Sequence, residues 1–179
     1  VAIDLDEEAG KVRQHEGNVF TAIVSLKRHD AERLGYNYAE RWRTLVQNRI
    51  DDIAKDFKNA VVIGADTSVI LGNEILGKPK DREDAKRMLK MLSGNIHKVI
   101  TGCAVVKNGV CESFSVTTEV EFFELTDKEI EDYLNTDEPY DKAGGYGIQA
   151  LGGLFVSAIK GDYFNVVGLP LCELFETIK

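Results

Sequence analysis

Residues 61–81 read VVIGADTSVILGNEILGKPKD, and the fold turns on how this stretch is divided. Ala60 to Ile63 is a continuous apolar run, the pattern of a strand covered on both faces. Ser68 to Leu71, the pair Gly72-Asn73 and Glu74 to Leu76 predict a small hairpin. Asp66 falls between them, where the buried strand is expected to end, and open α/β sheets hold their ligands at such ends. Gly64 and Ala65 are small enough to let a ligand come close. A strand that only fills a core needs no acid there, nor a lysine beside a proline in Gly77-Lys78-Pro79. The combination raises the question of a charged, phosphorylated ligand.

Downstream, Asp81 is expected to cap a helix whose apolar positions are Ala85, Met88, Leu89 and Leu92, with Gly94 at its end. His97 to Val106 and Cys111 to Leu125 predict two strands joined across Asn108-Gly109, a type I′ turn signal. In the second, Val116, Thr118, Val120 and Phe122 alternate onto one side. Thr126-Asp127-Lys128-Glu129 is a capping box opening a helix that carries Ile130, Tyr133 and Leu134. A glycine-rich run follows from Asp141 to Gly153. Leu154 to Ile159 predicts a further strand, and Val167 to Ile178 a closing helix with Pro170 in its first turn.

Upstream, Asn18 to Ser25 predicts a strand with Lys27 and Arg28 just past its end. Tyr38 to Phe57 predicts a helix with Trp42, Leu45, Val46, Ile50, Ile53, Ala54 and Phe57 on one face. Arg49 falls on that face, either to meet an anion or with its stem snorkelling from the edge of the stripe. Helices mixed with both buried and alternating strands indicate an α/β (α+β) domain on a mixed sheet.

The bulk numbers exclude several classes. The chain has 179 residues, 44% hydrophobic and 29% charged, ordinary for one globular domain or a compact two-lobed one. No apolar run approaches the ~20 residues of a membrane span, and no basic–apolar–small leader opens the chain. It does not begin on Met, which leaves room for residues upstream. A net charge of −8 without a basic block argues against a nucleic-acid polymer as partner. It leaves room for a small anion, because screening makes a few local lysines outweigh distant acids. Cys103, Cys111 and Cys172 form no C-x-x-C pair and are expected as reduced thiols, and His15, His29 and His97 give no zinc-ligand spacing.

A carboxylate at Asp66 suits a divalent metal, or a proton taken from water attacking phosphorus; it also suits a helix cap or turn. Lys78 and Lys142 each lie in a tight loop, the second in Asp141-Lys142-Ala143-Gly144-Gly145. A lysine point charge with neighbouring backbone N–H groups fits phosphate oxygens, although solvated surface lysines look the same in sequence. Gln149 carries a donor and an acceptor, the equipment for reading a base edge or for a loop hydrogen bond. Asp4, Asp6, Glu7 and Glu8 are either a solvated edge or part of an oxygen-rich cation site.

Eight segments taken in order resemble the Maf (septum-formation) family of nucleoside triphosphate pyrophosphatases. They are Val62-Ile63-Gly64-Ala65-Asp66-Thr67, Leu76-Gly77-Lys78-Pro79, Leu92-Ser93-Gly94 and Val99-Ile100-Thr101-Gly102. Asp141-Lys142-Ala143-Gly144, Tyr146-Gly147-Ile148-Gln149, Gly161-Asp162-Tyr163 and Val166-Val167-Gly168-Leu169-Pro170 complete the series, within Tyr38 to Lys179. The resemblance implies a mixed, elongated twisted sheet flanked by helices, of the Maf/inosine-triphosphatase kind, with a central cleft. It implies hydrolysis of a nucleoside triphosphate to monophosphate and pyrophosphate, dependent on divalent Mg, Mn or Co. The Ala-Asp-Thr and Tyr-Gly-Ile-Gln forms are similar to the branch acting on dTTP, UTP and modified pyrimidine nucleotides. By that carry-over Asp66 accepts the proton of the attacking water, Thr67 and Gln149 help choose the base, and Lys78 and Lys142 hold the phosphates. Arg49 stands where the family usually has lysine.

Residues 1–37 depart from the family pattern. Asp4-Leu5-Asp6-Glu7 resembles the family's Asp-x-Asp-Glu, which would make Glu7 a metal ligand beside Asp66. Val24-Ser25-Leu26-Lys27-Arg28 resembles its arginine-bearing segment, which would put Arg28 on the substrate, but the two occur in reverse order. The expected protein is a cytoplasmic homodimer that cleans the nucleotide pool. The rival readings are a catalytically weak nucleotide-binding regulator of cell division and a purine-directed (ITP/XTP) pyrophosphatase.

Overall fold

The computed structural model describes residues 19–23, 55 and 60–179. Glu7 and its acidic neighbours, Lys27 with Arg28, and Arg49 on the helix expected at 38–57 lie outside the described residues.

The described strands are β1 (Val19–Ile23), β2 (Val61–Leu71), β3 (Glu74–Leu76), β4 (Ile96–Lys107), β5 (Val110–Phe122) and β6 (Val156–Lys160). The described helices are α1 (Arg82–Leu92), α2 (Asp127–Leu134), α3 (Tyr163–Val167) and α4 (Leu171–Ile178). The strands form one sheet in the order β1-β2-β4-β5-β6, with β3 paired to β2. β1 runs parallel to β2 with Val19 opposite Val61 and Ile23 opposite Ala65. β3 is antiparallel to β2, Val69 facing Leu76, and β6 is antiparallel to β5. This is the mixed sheet with helices that the sequence predicts.

Local chemistry sets most element ends. The Asp81 carboxylate accepts from the Asp84 amide at 2.8 Å and opens α1. Thr126 and Glu129 form the reciprocal capping box of α2. Asn108 and Gly109 both take positive φ, 53° and 77°, as a type I′ turn between β4 and β5 requires.

Four expectations change, the first a boundary: the strand expected to run to Leu125 ends at Phe122. β2 is one strand of 11 residues, not a strand ending before Asp66 followed by a separate hairpin. β1 partners it as far as Ala65, and β3 takes over at Val69, so the backbone stays extended across Asp66, Thr67 and Ser68. The strand expected from Leu154 begins at Val156, because 151–155 form a 3-10 turn. The closing helix is two helices: Gly168 adopts φ 113° and Pro170 stands at the N-cap of α4 rather than in its first turn.

The chain divides into two compact units. The first holds the described residues up to Thr67 with Thr101–Val116 and Gly168–Lys179. One buried apolar cluster there is Ile63, Val105 and Leu174, packed by Val61, Phe114, Leu169 and Ile178. The second unit is Ser68–Ile100 with Thr117–Val167. There α1 buries Ala85, Met88, Leu89 and Leu92 completely, against Leu76, Val99, Val120, Phe122, Ile130 and Leu134. Each large side chain so buried contributes about 1.5–3 kcal/mol. At the surface, Glu131 of α2 receives Arg82 at 2.7 Å and Lys86, both from α1. No disulfide joins the three cysteines, and burial pushes the Cys103 thiol up to about 12.

Candidate functional site

In the first unit, Asp66 is 8% exposed and sits inside β2. A carboxylate taken out of water costs free energy unless donors or a cation meet it, so a core strand does not carry one for packing. Beside it, Thr67 Oγ1 lies 2.9 Å from Thr101 Oγ1 of β4, and Thr101 is fully buried. The backbone of Gly168 passes close behind: a Cβ there would stand 3.4 Å from Thr67 Oγ1. Thr101 thus holds the Thr67 hydroxyl.

In the second unit, the two lysine loops are stitched together. Gly144 N donates to Gly77 O at 3.1 Å, so Gly77-Lys78-Pro79 and Lys142-Ala143-Gly144 meet backbone to backbone. Glycine is required for this approach. Gly144 has φ 74°, and a Cβ would stand 3.0 Å from Val69 Cγ1; at Gly145 it would stand 3.3 Å from Pro79 Cγ. Lys78 and Lys142 are both exposed, and Lys142 Nζ holds the neighbouring Asp141 carboxylate at 2.6 and 2.7 Å. An exposed pair of this kind is worth ~0–1 kcal/mol and yields readily to a phosphate. Two lysines on joined loops can offer a polyphosphate more than one cation.

Gln149 lies exposed in the glycine run that follows. Two residues that sequence reasoning missed hold that run. Glu138 Oε1 accepts from Tyr133 Oη at 2.9 Å and Gly152 N at 3.0 Å, while Oε2 accepts from Leu151 N at 3.0 Å. Tyr133 Oη in turn accepts from Gly147 N at 3.3 Å. Burial, and then the Glu138 carboxylate, raise the Tyr133 pKa, which keeps its proton on the hydroxyl. The available signal was an acid next to Pro139, just before a run rich in backbone amides that need acceptors.

Behind Gly147, Tyr146 Oη lies 2.7 Å from Nε2 of His97, which is 1% exposed. Burial lowers the His97 pKa to about 4, so the ring is neutral near pH 7. Its edge packs against Phe122 and Tyr146 with ring centroids 5.0 and 5.5 Å away.

Asp66 and Thr67 therefore belong to the first unit, and Lys78, Lys142 and Gln149 to the second. Among the described residues no three His, Cys, Asp or Glu side chains stand together as a metal site. The Asp66 carboxylate is a hard oxygen donor that fits Mg²⁺, Mn²⁺ or Co²⁺, and a Mg²⁺ ion is often held by one or two carboxylates plus substrate phosphates.

A family model described as Maf-like protein matches residues 11–179. Residues 4–8 precede that range, and Lys27 and Arg28 fall within it. A dTTP/UTP pyrophosphatase of Halalkalibacterium halodurans is 48% identical over 135 residues, 75% of this chain and 71% of the relative. One from Clostridium novyi is 46% identical over 160 residues, 88% and 84% of the two chains. One from Alkaliphilus metalliredigens is 48% identical over 180 residues, 99% and 82%.

Proposed function

The chain belongs to the Maf-like family, and on that premise we propose that it is a hydrolase of dTTP, UTP and modified pyrimidine nucleotides. The products are the nucleoside monophosphate and pyrophosphate. The observation that carries the reading is the Gly144–Gly77 stitch, which joins two lysine loops in a chain whose relatives are named for this activity. Those names favour pyrimidine turnover over the purine-directed and regulator readings.

Water attacks the α-phosphorus in line, and the Asp66 carboxylate takes its proton as the new P–O bond forms. The bond between the α-phosphorus and the bridging oxygen breaks, and the pair of electrons leaves with pyrophosphate. Lys78 and Lys142 neutralise charge on the phosphates as it shifts toward the leaving group, the usual main source of catalysis in phosphoryl transfer. Arg49 and Arg28 take the same task on resemblance alone. A divalent cation (Mg²⁺, Mn²⁺ or Co²⁺) held by Asp66 and Glu7 would supply further charge neutralisation. Thr67, with its hydroxyl held by Thr101, and Gln149 read the base. The reading includes a cytoplasmic homodimer. Among the described residues no helix is long and apolar enough to cross a membrane.

The test is to incubate the protein with dTTP, UTP, ITP or XTP and each cation, and to measure monophosphate and pyrophosphate. Asp66→Asn keeps the shape and removes the base, so turnover should fall by about 10²–10⁴-fold. Equal rates for the two proteins would remove Asp66 from the assigned role, and faster ITP or XTP turnover would transfer the protein to the purine class. Light scattering on the purified protein checks the dimer.

A further inference from the structure

The glycine run ends where it begins. Leu151 N and Gly152 N bind Glu138 directly, and Gly147 N reaches the same carboxylate through the Tyr133 hydroxyl. Every partner of Glu138 in this set is a donor, so each bond has only one direction. Ile148, Gln149 and Ala150 are the residues between the two anchored points. The closure is tight: a Cβ at Gly152 would stand 2.8 Å from Tyr133 Oη and 2.9 Å from Gly147 N and O. A Cβ at Gly153 would stand 2.4 Å from Ile148 O. At Gly147 it would stand 3.1 Å from Glu138 Oε1 and 3.5 Å from Lys142 Cε, so the Lys142 stem lies along the same loop.

We propose that Glu138, acting partly through Tyr133, is a positioning residue for base selection: it closes residues 147–152 into one conformation and so presents Gln149. This rests on the reading of Gln149 as a base contact. A glutamine at the tip of an unanchored loop would be ordered only when nucleotide binds, and affinity and selectivity would fall together. With both ends tied to one carboxylate, the tip is ordered in advance.

Glu138→Gln is the decisive variant, because the amide keeps the size while its NH₂ group faces a backbone N–H and cannot accept. Tyr133→Phe is the second variant, keeping the ring and removing only the relay to Gly147. Three measurements go with them: amide hydrogen exchange at 147–152, binding of UTP and ITP by titration calorimetry, and turnover. Expected are faster exchange in Glu138→Gln at whichever of Leu151 and Gly152 faces the NH₂ group, and a UTP affinity lowered about 10- to 100-fold, the loss of one hydrogen bond to a charged group. UTP-over-ITP selectivity should fall as far as in Gln149→Ala, and the double variant Glu138→Gln/Gln149→Ala should be no less selective than Gln149→Ala alone. A purely structural Glu138 would lower stability and leave that ratio intact. The proposal is overturned by unchanged exchange, by unchanged selectivity with faster exchange, or by additive losses in the double variant. Absence of dTTP and UTP turnover in the unaltered protein would instead overturn the proposed function, with the binding ratio still deciding the role of Glu138.

Discussion

Replacing Gly144 by alanine should undo the joint between the lysine loops. Two separate costs follow from the structure. Its φ of 74° lies in the left-handed region, where a residue with a Cβ is disfavoured by about 1–2 kcal/mol. The new Cβ would also meet Val69 at 3.0 Å to Cγ1 and 3.2 Å to Cβ and Cγ2. Val69 is 3% exposed and β-branched on a strand, so it has little freedom to turn away, and such overpacking costs about 1–3 kcal/mol. The sum is on the order of 2–5 kcal/mol, a large share of an ordinary domain's stability. Part of it can be relieved by withdrawing the Gly144–Gly77 bond, which moves Lys78 and Lys142 apart. The assay is denaturant unfolding of Gly144→Ala, Val69→Ala and the double variant, with UTP affinity measured on each. Val69→Ala alone should cost about 2 kcal/mol from lost burial. In the double variant the contacts to Cγ1 and Cγ2 are gone, while the 3.2 Å approach to Cβ and the backbone cost remain, so its total should be smaller than the sum of the singles by about 1–2 kcal/mol. A Gly144→Ala protein within ~0.5 kcal/mol of the parent would refute the packing argument, as would strict additivity in the cycle.

Two further predictions follow from buried polar groups. His97 has its pKa lowered to about 4 by burial, so between the unfolded value of 6.5 and about 4 the unfolded chain binds more protons and stability falls as pH falls. The loss should reach about 3 kcal/mol below pH 4 and be absent above pH 7, and His97→Gln should flatten that part of an unfolding-versus-pH curve. Thr101→Val leaves Thr67 Oγ1 without its partner at 2.9 Å; denaturation should show a loss of ~1–3 kcal/mol, and competition assays a narrower preference for UTP over ITP.

What could be read in the sequence was what neighbours within a few residues decide. The Asp81 cap, the Thr126 capping box and the Asn108-Gly109 turn each depend on contacts within the same local stretch. Likewise, helix periodicity found Ala85, Met88, Leu89 and Leu92 on the buried face of α1. Asp66 was misplaced at a strand end because the length of β2 is set by two different partners, one of them contributed by residues 19–23. Tyr133 fits the apolar face of α2 by spacing, and its hydroxyl partner Gly147 lies 14 residues away, beyond any local pattern. The break at Gly168 was signalled by Gly-Leu-Pro but outweighed by the apolar spacing after it.

The interleaving of the two units sets an order of events during synthesis. Residues 68–100 and 117–167, which hold the whole of one apolar cluster, have all been translated by Val167. The other cluster lacks Leu174 until later, although Ile63 was made more than a hundred residues before. On the ribosome the second unit can collapse before the cluster of the first is complete, and a stop codon just after Val167 would strip Leu169, Leu174 and Ile178 from Ile63 and Val105.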